Sequence, residues 1–323
     1  GRLPWWGSAL VGCGLVLLHT LPVASQLGCG TGKFYGWYTT STGSLETGLI
    51  LDQVQYLRLV DSTSGSAESS EVAPFTARAL APWVAGKLPL SPHAALTLVN
   101  LACLMLGTFA LARLAMDLTR RRNAVLLAVL VWSVSFPVAK YTGDAFVDAA
   151  AVGLIPVVLL AIWRRWWVPA LLGMLLAVWM KEPALVLLPV GLAAVLLRPS
   201  YSRAQRLGLC AAWVLTAAVA YSTAAIPGGP HSIVFAPWVP DSLETVSTMA
   251  RYNLLSPPRL VAFALTALPA LLGAVLWWRA RRSGDPFLED QDAVPLLVGC
   301  AAGALVALSA LPTAVFDGRS VWT

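Results

Sequence analysis

The chain has 323 residues, 58% of them hydrophobic and 12% charged, with a formal net charge of +6 and a mean hydropathy of +0.72. A water-soluble domain of this size needs far less apolar material for its core, so the composition excludes an ordinary soluble globule and points to a bilayer as solvent. The basic excess does not indicate nucleic acid, because the arginines sort into short connections between apolar runs.

Nine apolar runs follow one another along the chain, at 5–24, 92–116, 124–141, 145–163, 166–180, 184–197, 207–226, 260–278 and 293–312. Most are long enough to cross about 30 Å of hydrocarbon as helix, the fifth and sixth being short. The expected fold class is therefore all-α: a polytopic transmembrane helical bundle of about nine spans, residues 1–323 forming a single transmembrane domain. The first run resembles a signal peptide less than an anchor, being long and lacking a clear small-residue cleavage site.

With the N-terminus cytoplasmic, Arg2, Arg113, Arg120, Arg121, Arg122, Arg164, Arg165, Arg198, Arg203, Arg206, Arg279, Arg281 and Arg282 all fall in inner connections, 13 of the 22 Lys and Arg. This positive-inside asymmetry sets orientation, and the plain role of these arginines is topology and contact with anionic lipid. Trp5, Trp6, Trp166, Trp167, Trp277 and Trp278 fit interfacial belts. Cys13, Cys29, Cys103, Cys210 and Cys300 show no CxxC or metal spacing and read as packing residues, with no disulfide expected. His19, His93 and His231 are too scattered for a metal site.

The first extracytoplasmic loop, 25–91, is far longer than a connector requires. Within it, LETGLILDQVQYLRLVD carries a helical apolar face of Leu49, Val54, Leu57 and Val60, and the stretch STSGSAESSE reads as a break. A second short helix, PFTARALAPWVAGKL, offers Phe75, Leu80, Trp83 and Val84 to lipid or protein, and Pro82 is expected to bend or end it. Both helices suit the membrane interface. The second extracytoplasmic loop, 227–259, holds a short helical stretch with Asp241 as N-cap and Glu244 three residues on. No internal repeat is visible, which weighs against a transporter of paired halves.

Charged residues at outer helix ends are the informative ones, because charge at membrane depth must be offset by partners or water. Asp52 and Tyr56 are four apart in LILDQVQYLR and share one helix face, either as carboxylate and phenol for a substrate or as a solvated face. In KYTGDAFVD, Lys140, Asp144 and Asp148 straddle an outer turn, where a Lys and Asp pair with an N-cap is the plain alternative. Lys181 and Glu182 interrupt WMKEPALVLLP before Pro183, which is welcome at a helix start; the adjacent charges either neutralise each other or serve a site. Arg78 and Arg319 are each an ordinary interfacial arginine or a phosphate ligand, guanidinium holding phosphate in a forked geometry.

In layout the chain resembles the integral-membrane glycosyltransferases of the GT-C superfamily, which use polyprenyl-phosphate sugars. The residues that carry the resemblance are Asp52 in DQVQY, Arg78 in PFTARALAPW, and Lys181 with Glu182 in MKEPALVLLP. DQVQY is similar to the DGQxY pattern of some bacterial members, with Gln53 where glycine would stand and no DxD or DE pair in the chain.

The resemblance implies inverting transfer of a sugar from a polyprenyl-phosphate donor to an acceptor hydroxyl, outside a bacterial inner membrane. Asp52 would be the catalytic base, and Lys181, Arg78, Lys140 and Arg319 would face the donor phosphate, with Tyr56, Asp144, Asp148 and Glu182 completing substrate binding. No cofactor is required by this chemistry, and a divalent metal stays open. The partners implied are the lipid-linked donor, membrane lipid and an unknown acceptor, with no nucleic acid. Two rivals stand beside this reading: a transporter or flippase for a lipid-linked solute, which needs a polar path through the bundle, and a non-catalytic scaffold relative, which the lack of a second acidic residue beside Asp52 favours.

Overall fold

The computed structural model describes residues 4–20, 51–64, 78–135, 138, 142, 147–198, 200–225, 255 and 282. All regular structure among them is helical: α1 (Trp5–Leu18), α2 (Leu51–Ser64), α3 (Leu80–Ala85), α4 (Pro92–Thr119), α5 (Arg122–Ser133), α6 (Asp148–Trp163), α7 (Trp167–Met180), a 3-10 turn (Glu182–Val186), α8 (Leu187–Leu196) and α9 (Arg203–Ala225). Among the described residues, two helical stretches are long and apolar enough to cross a membrane, Pro92–Thr119 with 28 residues and Arg203–Thr223 with 21. The runs expected at 260–278 and 293–312, the loop 227–259 apart from residue 255, and all of 25–50 and 65–77 lie outside the described residues.

The chain divides into two compact units, Gly1–Ala184 with Val219–Val234, and Leu185–Ala218 with Phe235–Thr323. In the second, Gly191 of α8 leaves a notch that the fully buried Trp213 ring of α9 fills. The first unit carries the candidate site.

Small residues set its geometry. Gly107 of α4 lies against the Gly153 carbonyl of α6, and Gly153 lies against the backbone of Cys103 and Leu104, so neither position has room for a Cβ. Apolar helices gain nothing by hiding from lipid, and close backbone approach at small residues is what holds them together. Asp117 near the end of α4 pairs with Arg164 just past α6, so these two helices run in the same direction.

Helix α1 packs on α4 and α5 through Ala9, Ala112, Ala115, Val125 and Val129, and higher up Val16 joins Leu104, Val138 and Ala149. The outward faces are also apolar: Leu10 and Leu17 of α1, Leu106 of α4, Leu127 of α5, and Val168 and Leu172 of α7 are all exposed. A helix that is apolar on both its packed and its open face is built for an apolar surrounding.

Helix α5 stops at Ser133, short of the expected 124–141 run. The reason is Pro137, which has no N–H to give the Ser133 carbonyl. That carbonyl instead accepts from His19 Nε2 at 2.8 Å, while the Ser133 hydroxyl donates to the Gly12 carbonyl at 3.2 Å. The Ser135 hydroxyl covers the Trp132 carbonyl at 2.7 Å. A helix end is thereby converted into a clamp on α1.

The two loop helices differ from their expected limits. Helix α2 runs through Ser62 and Thr63 to Ser64, into the expected break, because the Ser62 and Thr63 hydroxyls donate back to the Leu59 and Val60 carbonyls at 2.9 and 2.8 Å. Lys87 Nζ covers the Thr63 carbonyl at 3.2 Å, a cation at a helix C-terminus. Pro82 does not end α3, which continues to Ala85. It is the third residue of the helix, where a missing N–H costs no intrahelical bond. The packed face of α3 is Ala81, Pro82 and Ala85, and Trp83 is exposed.

The α4–α6 seam generates a test. Gly153→Val should destabilise the protein in detergent by about 1–3 kcal/mol through overpacking, whereas Gly14→Ala, with nothing within 4 Å of the added Cβ, should be neutral or stabilising. Equal thermal midpoints for the two variants would refute the seam.

Candidate functional site

The site forms where the starts of α4 and α6 meet the end of α7 and the two loop helices. Arg78 stands two residues ahead of α3, in 3-10 conformation. Its Nε donates to both carboxylate oxygens of Glu182, at 3.0 and 2.9 Å, and its Nη1 donates to the Tyr56 hydroxyl of α2 at 3.0 Å. Glu182 opens the 3-10 turn after α7. Its neighbour Lys181 forms an ion pair with Asp148 in the first turn of α6.

Backbone geometry lets two adjacent residues reach two different partners. The Lys181 N–H still bonds the Ala177 carbonyl at 2.9 Å, but its φ of −160° and ψ of 129° are extended. In extended chain, successive side chains point to opposite sides. Lys181 and Glu182 therefore do not neutralise each other; one ties α7 to α6 and the other ties it to the Arg78 segment.

The electrostatics follow from partial burial. Side chains of the Arg78 and Glu182 pair are 17% and 25% exposed, and those of Lys181 and Asp148 are 25% and 15% exposed. Burial opposes the charge on Arg78, but the Tyr56 oxygen and Glu182, with a further contribution from Asp148, outweigh it and raise the guanidinium pKa above its ordinary value. Arg78 is thus cationic at every accessible pH.

The arrangement leaves Arg78 a usable edge. Guanidinium has five N–H donors, and among the described residues Glu182 and Tyr56 engage only Nε and Nη1. Among the described residues Nη2 makes no hydrogen bond, which leaves its N–H groups for a further oxyanion. Tyr56 is completely buried and holds Arg78 in place, so its role is positioning.

Of the residues singled out in the sequence, Tyr56, Arg78, Asp148, Lys181 and Glu182 come together from four separate stretches of chain. Asp52 lies in the first turn of α2, one turn before Tyr56. Lys140, Asp144 and Arg319 lie outside the described residues. Among the described residues, Asp148 and Glu182 are the carboxylates paired within the cluster, and no three His, Cys, Asp or Glu assemble for a metal.

Sequence reasoning passed over Thr97. Thr97 and Asn100 are buried on α4, seven residues before Leu104 and Gly107 and so on the same stripe that meets α6. With α4 and α6 running the same way and Gly153 against Cys103 and Leu104, Asp148 is level with the Thr97–Asn100 turn. The Thr97 hydroxyl has no hydrogen-bond partner among the described residues. The available signal was two polar residues three apart in a 28-residue apolar helix. Asp117, which gathers Arg113 and Arg164 at the far ends of α4 and α6, was also missed, masked by its arginine-rich surroundings.

Removing one partner of a largely buried pair leaves the other charge stranded. Glu182→Gln should therefore cost about 2–3 kcal/mol of stability, below the full-burial figure because some solvent reaches both groups. Converting both, as Arg78→Met with Glu182→Met, should restore most of it; denaturation of the unmodified chain and the two variants in detergent provides the check, and a double variant no more stable than Glu182→Gln would contradict the pairing. No protein-family model, curated protein or solved structure matches this chain, so the site is read from its residues and their geometry alone.

Proposed function

We propose that the chain is a polytopic membrane glycosyltransferase of the GT-C type, crossing a bacterial inner membrane about nine times. It would transfer a sugar from a polyprenyl-phosphate donor to an acceptor hydroxyl at the outer face. The observation that carries this reading is Arg78, fixed by Glu182 and Tyr56 with its Nη2 end uncommitted among the described residues, beside a second cation at Lys181. The apolar outward faces of the helices favour membrane placement.

The chemistry needs little else. The bond from the anomeric carbon to the phosphate oxygen breaks as the acceptor oxygen bonds to that carbon from the opposite side, inverting it. The acceptor proton passes to a base, assigned to Asp52 in the first turn of α2. The phosphate departs with its electron pair, and Arg78 and Lys181 stabilise the charge that grows on it. An acid at the leaving group is not required, because a polyprenyl phosphate already leaves readily.

A second reading has one observation in its favour: all four charges of Arg78, Glu182, Lys181 and Asp148 are matched within the cluster. On that reading the cluster is a staple joining the loop helices to the bundle in a non-catalytic relative.

Reconstituted proteoliposomes supplied with polyprenyl-phosphate-linked hexoses and pentoses separate the two. Arg78→Gln, Lys181→Gln and Asp52→Asn should each lower transfer by about 100-fold or more, the scale for losing one group aimed at developing charge. Full transfer by folded Asp52→Asn would remove it as the base. Absence of transfer by the unmodified chain across the panel would favour the staple.

A further inference from the structure

The end of the first unit opposite the ion-pair cluster holds a second charged surface. Helix α6 spans 16 residues from Asp148 to Trp163, so the two polar ends lie about 24 Å apart along it. At the far end Asp117 is gripped by Arg164, with Nε at 2.7 Å and Nη2 at 2.6 Å, and by Arg113 at 3.1 Å. The Arg113 guanidinium also lies over the Trp5 ring, 5.4 Å from its centroid. These contacts bring the start of α1 and the ends of α4 and α6 to one rim.

Further cations surround it. Arg120 and Arg121 connect α4 to α5, Arg122 opens α5, and all three are exposed, as is Arg165 between α6 and α7. Asp117 is the single carboxylate at this rim among the described residues, against six arginines. The helix C-termini of α4 and α6 account for some of this charge through their dipoles, but Arg121 and Arg122 begin a helix, where cations are disfavoured.

The apolar neighbours select the partner. Trp6 and Trp166 are exposed at the same level as the arginines, and within about one turn the open faces become Leu10 and Val11 on α1, Leu127 on α5 and Val168 on α7. Nucleic acid or an acidic peptide would meet the arginines and leave this apolar band bare. A lipid monolayer takes both, with headgroups at the arginines, indole rings at the boundary and acyl chains along the leucines.

We infer that this rim is a docking surface for anionic phospholipid, with Arg120, Arg121, Arg122 and Arg165 contacting headgroup phosphates while Asp117 positions Arg113 and Arg164. The inference rests on the membrane placement proposed above but not on glycosyl transfer. Purified full-length protein in mixed micelles of equimolar phosphatidylglycerol and phosphatidylcholine, followed by mass spectrometry of the lipids that copurify, tests it.

The unmodified chain should retain phosphatidylglycerol over phosphatidylcholine by about fivefold or more at low salt, the effect expected of even one arginine near a phosphate. The preference should shrink at high salt, where exposed charges are screened. Arg120, Arg121 and Arg122 all changed to Gln should bring the ratio towards one, and the same three changed to Lys should keep most of it. If the triple Gln variant does not purify monodisperse, Arg165→Gln alone, on an exposed side chain, should lower the ratio about twofold. A ratio of one for the unmodified chain, or a ratio indifferent to these changes, overturns the inference. Release of the chain from membranes by alkaline carbonate overturns the membrane placement itself, and the inference with it.

Discussion

A charge taken out of water must find its opposite, and that constraint organises the described structure. Arg78, Lys181, Asp148 and Glu182 are each three-quarters or more buried, and each is matched. Coulomb attraction between such groups is strong where solvent is scarce, but it acts only if the backbone brings them together. The extended conformation of Lys181 supplies that condition by sending two neighbouring side chains in different directions. Three separate pieces, the Arg78 segment, α6 and α7, are thereby joined at one end of the unit.

The same logic applies to backbone polar groups. Pro137 deprives the Ser133 carbonyl of a helical partner, and in apolar surroundings an unsatisfied carbonyl is as costly as a lost hydrogen bond. His19 repairs the loss from another helix at 2.8 Å. At the seam, Gly107 and Gly153 let α4 and α6 approach until backbone meets backbone. Polar repair and small-residue contact together replace the hydrophobic driving force that a bundle with apolar outer faces lacks.

Helix existence was legible because it depends on long apolar runs, and α4, α6, α7 and α9 lie close to their expected limits. Boundaries were less legible where side chains rescue or deny backbone bonds. The hydroxyls of Ser62 and Thr63 extend α2, and the proline at 137 shortens α5. Within the site, charge in an apolar context marked Arg78, Asp148, Lys181 and Glu182 before any geometry was known. Their pairing was not readable, since Arg78 and Glu182 are separated by 104 positions and nothing local links them. Asp117 was hidden for the converse reason, an acid embedded among arginines that already had a sufficient explanation in topology.

The two charged ends differ in a way that bears on what each can bind. At the cluster, cations and carboxylates are equal in number among the described residues, so the phosphate of the proposed donor would meet no net attraction and would have to be held by direction, through Arg78 and the Lys181 ammonium. Binding there must also accommodate carboxylates that are already paired, which makes affinity depend on where Glu182 and Asp148 go as much as on the cations. At the arginine rim, six cations face one carboxylate among the described residues, and attraction is broad, salt-sensitive and tolerant of position. A balanced cluster suits discrimination of one ligand, and an unbalanced rim suits adhesion to a surface with many equivalent charges. The helices between them, apolar on their open faces, keep the two kinds of site apart.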